Sequence, residues 1–318
     1  MKDLQALSPT NAAQRVPKDA SFAVLSSKTA LLALPPRAAV PLVYWRNSAI
    51  LAGVLHAAAE KDSALGIGLR LRVGEEYSPR LSGAFREFFS CVVEAATASG
   101  FSGPLFVRAE LPYFSGAGDD EVATARRTVF AAYDAGFTSF SLKLPEDARM
   151  VQRLPEVLSE PREMELGFEF RHRVAGVAPS VLSRILGLLR SLGVAPDVMR
   201  PLDGPQVPAE FVGGVVVGAE WDPQAPRRQD ARAALVTMDA LISSVLRSVL
   251  DDSVRERLRT YQEREKTGLE DAWDWGIAQG IVPREKDEVL EARVFGEFCD
   301  ALDRMGAAGT ARYVRGER

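Results

Sequence analysis

From residue 38 onward, short β-rich runs alternate with amphipathic helical stretches at a spacing of roughly 30 residues, the pattern of repeated βαβ units. AVPLVYW (39–45) reads as a strand, and NSAILAGVLHAAAEK (47–61) as a helix that Asn47 or Ser48 can cap. ALGIGLRLRV (64–73), PLFVRAEL (104–111), FTSFSLKL (137–144), MELGFEFRH (164–172), DVMRPL (197–202) and FVGGVVVGAEW (211–221) read as further strands. With AALVTMD (233–239) the number reaches eight. Eight strands joined by helical crossovers predict an α/β fold, a (β/α)8 TIM barrel with a parallel sheet. No GxGxxG follows the first strand and no Walker A motif occurs, which removes the usual grounds for an open doubly wound sheet.

The barrel is expected over 38–250, after an N-terminal arm and lead-in (1–37) and before a C-terminal helical extension (251–318) whose helices are longer than a last barrel helix needs. The charged stripe Arg255 to Lys266 reads as a solvated helix face. Trp273 and Trp275 read as anchors of the extension on the barrel, or as an interface patch.

The strand segments carry charges at alternate positions. Ile67, Leu69 and Leu71 stand against Gly66, Gly68, Arg70 and Arg72; Val107, Ala109 and Leu111 against Arg108 and Glu110. Phe140 and Leu142 stand against Ser139, Ser141 and Lys143; Leu166, Phe168 and Phe170 against Glu165, Gly167, Glu169 and Arg171. Period two sends the two sets to opposite faces. The apolar set must meet the surrounding helices, so the polar set must point inward, where barrels usually hold aliphatic side chains. Unpaired, each buried charge would cost several kcal/mol. Such an interior is a self-satisfied Arg/Glu network or the lining of an anion site. The later residues of each strand, Arg72, Glu110, Lys143 and Arg171, fall near the rim where barrel active sites lie.

Composition excludes several function classes. The 318 residues carry a net charge of −4, and no basic stripe with interleaved aromatics appears, so nucleic acid is not an expected partner. Phe22 to Leu34 is short and contains Lys28, so no membrane span is expected. The start lacks a signal-peptide pattern, and Cys91 and Cys299 form no CxxC pair; a reduced, cytoplasmic chain is the expectation. There are two histidines, His56 and His172, so one chain cannot build a three-histidine zinc site.

The segments PLVYWRNSAILAGVLHAAAEKDSALGIGL, GPLFVRAELPY, AAYDAGFTSFSLKL and MELGF together resemble the class II, metal-dependent fructose/tagatose-bisphosphate aldolases over about residues 38–170. The resemblance implies a TIM barrel, lyase chemistry in carbohydrate metabolism and a phosphorylated ligand. The family ends its third strand with His-x-Asp-His, a catalytic acid and a zinc ligand; here the residues are Arg108, Ala109, Glu110 and Leu111. Glu110 can replace the aspartate as proton carrier, whereas Leu111 cannot bind metal. The pair Gly213–Gly214 precedes the seventh strand, while the family's phosphate-binding glycines follow it.

The expected function is that of a divergent aldolase-like barrel that binds a small anionic metabolite without zinc catalysis. Its ligand-binding candidates are Asn47, Arg70, Arg72, Arg108 and Arg171. An active, metal-independent carbon–carbon lyase is the alternative, with Lys143 as Schiff base and Glu110 or Glu169 moving the proton. An ordinary salt bridge from Lys143 to either glutamate is the plainer role. Magnesium or manganese held by Glu110, Glu169, Asp203 or Glu220 is a further cofactor alternative. A purely structural subunit would meet its own copies or a partner enzyme through the C-terminal helices.

Overall fold

A computed structural model describes residues 4–35, 38–44, 47–72, 74–111, 118–143, 151–172, 179–201, 216–221, 234–282 and 286–317. Its strands are β1 (Ala23–Val24), β2 (Ala39–Val43), β3 (Leu65–Arg70), β4 (Pro104–Glu110), β5 (Ser139–Lys143), β6 (Gly167–His172), β7 (Val198–Pro201), β8 (Val216–Glu220) and β9 (Ala234–Thr237). From β2 to β9 each strand pairs in parallel with the next, and β9 pairs with β2 through Ala39↔Ala234 to Leu42↔Thr237. The ring is an eight-stranded α/β TIM barrel.

Period two places the strand side chains. Leu65, Ile67, Leu69, Val107, Ala109, Phe140, Leu142, Phe168 and Phe170 join the helices in one large apolar cluster outside the barrel. Around it pack α3 (Ser48–Glu60), α4 (Leu81–Ala98), α5 (Asp119–Asp134), α6 (Leu154–Glu163), α7 (Pro179–Ser191) and α8 (Asp239–Ser248). A separate inner cluster holds Val40, Leu42, Tyr44, Phe106, Val198 and Leu235.

Before the barrel come a 3-10 turn (Gln5–Leu7), α1 (Thr10–Ala13), β1 and α2 (Ser27–Leu32). β1 pairs with the start of β4, and α2, capped by the Ser26 hydroxyl accepting from Thr29 N, follows directly. Ala30 and Leu31 join the inner cluster, so α2 closes the N-terminal end of the barrel. The N-terminal lead-in is packed against the barrel. Asn11 Nδ2 donates to the carbonyls of Tyr133 and Phe137, both at 2.8 Å, and Ala12 is fully buried. A four-residue helix is too short to show a periodicity in sequence.

After α8 come α9 (Asp252–Glu265), α10 (Leu269–Ala278), α11 (Lys286–Met305) and α12 (Thr310–Val314). Leu290, Val294, Phe298 and Leu302 of α11 are buried, and the helix packs on α3. Trp273 is wholly buried and Trp275 stacks on Tyr261 with ring centroids 4.2 Å apart. The C-terminal helices thus continue the outer layer of the barrel.

The barrel axis is filled by pairing large side chains with missing ones. A Cβ on Gly66 would lie 2.2 Å from the Phe106 ring, and one on Gly68 would lie 2.3 Å from the Tyr44 ring. Gly68→Ala should therefore destabilise the fold by about 1–3 kcal/mol through overpacking, although Ala is ordinarily the better strand residue. A lower urea midpoint at unchanged slope would show it; a midpoint equal to wild type would mean that Tyr44 moves freely.

Candidate functional site

The inward polar positions of β3 to β7 and β9 form two stacked layers of charge. In the deeper layer Glu169, on β6, has no exposed surface. Its Oε2 accepts from Arg108 Nη1 at 2.7 Å and from Arg200 Nη2 at 3.2 Å, and its Oε1 from Arg200 Nε at 3.0 Å and the Ser141 hydroxyl at 3.0 Å. Arg200 also donates to the Thr237 hydroxyl. Burial by itself would push the Glu169 carboxyl up, but the charges and hydrogen bonds of Arg200 and Arg108 outweigh it and hold it down at about 2.

In the upper layer Glu110, on β4, takes the same place between two guanidiniums. Its Oε1 accepts from Arg70 Nε and from Arg171 Nη1, each at 2.8 Å. Arg171 Nη2 donates to the carbonyl of Leu111 at 2.6 Å, and Arg70 Nη2 to Asp239 Oδ2 at 3.0 Å. Arg70 also lies over the Tyr44 ring, 4.7 Å from its centroid. Burial raises the Asp239 carboxyl, against the lowering effect of Arg70.

Within these layers four guanidiniums face three carboxylates, and several polar atoms have no hydrogen-bond partner. Arg108 Nε and Nη2, Arg171 Nε, Asp239 Oδ1 and the Tyr44 hydroxyl are all buried and unpartnered. Above them opens a cleft of about 380 Å³, floored by Tyr44 and Gly68 and walled by Arg70, Arg72, Asp239 and Lys266. Arg72 lies beyond the end of β3, ion-paired with Asp271 and donating to the Thr267 hydroxyl at 3.3 Å.

The expected site residues are thus distributed. Arg70, Arg108, Glu110, Glu169 and Arg171 converge in the barrel. Lys143 is half-buried at the end of β5, in register with Arg171, and it is engaged with its surroundings. Arg72 and Glu165, expected inside, are corrected. Arg72 is exposed at the mouth because β3 ends at Arg70, and Glu165 occupies a left-handed turn (φ 60°) before β6 begins. Asn47, expected to bind ligand, is committed to structure: its side-chain oxygen caps α3, accepting from Ala49 N at 2.9 Å and Ile50 N at 3.2 Å, while its amide donates to Asp274 at 3.3 Å. His56 Nδ1 stands 3.1 Å from Glu291 on α11, away from the mouth. Asp203, the Gly213–Gly214 pair and the side chains of His172 and Glu220 lie outside the described residues.

Sequence reasoning missed Tyr44, Arg200, Thr237 and Asp239. Arg200 had little signal, since Val198, which shares its inward face, is apolar. Tyr44 had none, because the segment before it is apolar on both faces. Asp239 follows its strand rather than lying in it.

The network itself is testable. Glu169→Ala leaves Arg108 and Arg200 buried without a counter-charge, at an expected cost of about 3–5 kcal/mol. A carboxylate held below its unfolded value stabilises fully above that value, near 4.3, and loses its contribution as pH falls towards 2. Urea unfolding should therefore show wild-type stability declining between about pH 5 and 2, with a shallower decline in Glu169→Gln. Equal acid limbs in both proteins would remove Glu169 as the charge that matters.

No family model matches the chain, and no curated protein matches it in sequence. Among solved structures it resembles the YdjI aldolase of Escherichia coli K12 at 12% identity and a TM-score of 0.55, over 89% of this chain and 96% of that one. It also resembles the fructose-bisphosphate aldolase of Campylobacter jejuni at 13% identity and a TM-score of 0.57, over 90% and 96%. At such identities the likeness establishes an aldolase-like barrel, and no more than the fold. Among the described residues no helix is long and apolar enough to cross a membrane.

Proposed function

We propose that this barrel binds a small anionic, sugar-phosphate-like metabolite at its C-terminal mouth and does so without zinc-dependent catalysis. The observation that carries the reading is the surplus of guanidinium donors over carboxylate acceptors in and above the barrel. A buried N–H without an acceptor costs about 1–3 kcal/mol, so an acceptor that reaches Arg171 Nε gains what the protein leaves unmet. Arginine suits this role because its fork presents several donors to the oxygens of one phosphate or carboxylate.

The residues do not fit the zinc ion that class II aldolases use. Where the family pattern carries His-x-Asp-His, Arg108 and Glu110 are engaged in ion pairs and Leu111 belongs to the outer apolar cluster. Among the described residues no three of His, Cys, Asp and Glu gather closely enough to hold a metal. In this reading Glu110 and Glu169 orient arginines instead of ligating an ion, and Tyr44 closes the floor of the mouth.

The test is thermal unfolding with millimolar dihydroxyacetone phosphate and related sugar phosphates, in the presence of chelator. A ligand at a hundred times its dissociation constant stabilises by about 2.7 kcal/mol, which amounts to several degrees at roughly 2–4 °C per kcal/mol. The shift should persist in chelator and shrink in Arg171→Ala. If no sugar phosphate moves the transition, the arginines serve only each other's carboxylates and the ligand-binding reading is lost.

A further inference from the structure

We propose that the N-terminal end of the barrel is a dimerisation face, on which a second copy of this chain seats with Leu32 of each copy in the groove of the other and Lys28 of each copy against the other's Glu165. This end lies opposite the mouth, so the proposal is independent of the ligand-binding reading above. The groove has a volume of about 390 Å³; Leu7, Leu32, Ala33 and Val314 supply its apolar surface, and Lys28 and Glu165 its charges.

Among the described residues four large hydrophobic side chains are exposed, and two of them, Leu32 at 74% and Leu7 at 36%, stand on this one groove. The short helix α2 explains the placement of Leu32. Ala30 and Leu31 close the barrel from within, and Leu32, one step further round the helix, is left on the outside. A leucine three-quarters in water contributes nothing to the core of one chain, whereas covering it with a second copy removes its apolar surface from water.

A two-fold contact sets the same patch on both sides, so the patch must carry its own complement. Lys28 and Glu165 line the same groove, yet neither makes an ion pair among the described residues. Asp197, the inner carboxylate that feels the Lys28 charge, is engaged by Phe168 N at 2.8 Å. Glu165 is exposed and holds a left-handed conformation (φ 60°) after α6, its N–H donating to the carbonyl of Arg162 at 3.1 Å. Glycine takes that conformation more readily, so a glutamate here strains one chain alone, and a lysine from a second copy offsets the strain. A nucleic acid or an anionic membrane would meet Glu165 with like charge. A second copy meets both charges with their opposites and takes Leu32 out of water.

The test is analytical ultracentrifugation of the full chain at micromolar concentration. Wild type should be a dimer. Leu32→Lys changes a side chain already in water, so its circular dichroism should match wild type, while the dimer weakens by about tenfold or more. Glu165→Gly relieves the left-handed backbone and should fold equally well, yet it too should weaken the dimer. Lys28→Glu and Glu165→Lys should each be monomeric alone and form a mixed dimer when combined, because every charge then meets its opposite across the interface. An effect confined to one chain cannot produce that rescue. A monomeric wild type overturns the proposal and leaves the groove to some other occupant. A wild-type dimer unmoved by Leu32→Lys overturns it as well, as does a mixture of the two reversed variants that stays monomeric. Should Lys28→Glu fail to fold, Leu32→Lys and Glu165→Gly decide the matter.

Discussion

Glu169 lies at the centre of the barrel with arginines on either side, and most of the inner architecture follows from keeping it ionised there. A carboxylate with no exposed surface is tolerable only when its charge and its lone pairs are both met. Arg108 and Arg200 supply the charge, and Ser141 fills a remaining site on the oxygen. The guanidiniums themselves need length to reach the axis from β4 and β7, which is why other strands contribute little side chain. Gly66, Gly68, Ser139 and Gly167 hold the space that Phe106, Tyr44 and α2 occupy.

This interior departs from the aliphatic packing usual in such barrels, and the departure shapes the mouth. Because Glu169 engages the deeper arginines, the second layer has to balance itself. Glu110 is shared by Arg70 and Arg171, and Asp239 takes a further donor from Arg70. The whole is a ladder of shared carboxylates whose last rung opens into the cleft. The likeness to aldolase structures concerns the scaffold. Chemistry has to be read from the side chains the scaffold carries, and here the inward ones are arginines and glutamates bound to one another.

In sequence the charged stripe of the C-terminal extension, Arg255 to Lys266, reads as a solvated helix face. That description holds for Arg259 and Arg264, which pair with glutamates of their own helix. It fails at the end of α9, where the chain turns back and brings Lys266 and Thr267 over the barrel. Nothing in the local pattern distinguishes those two residues from the charged helix preceding them.

Alternation along the strands was enough to identify the barrel and to separate the inward polar set from the outward apolar one, because a one-residue change of register would bury every charge against the helices. The same arithmetic placed Arg70, Arg108, Glu110, Glu169 and Arg171 on one side of the sheet. It could not say which carboxylate each arginine meets, since partners such as Arg108 and Glu169 are 61 residues apart and meet only when the ring closes. Nor could it find Tyr44 or Asp239, whose roles depend on lying just past strand ends, where period two no longer applies. Asn47 shows the converse: a polar residue after a barrel strand suits a ligand or a helix cap equally well in sequence, and only the position of Ala49 N and Ile50 N relative to its side chain decides between them.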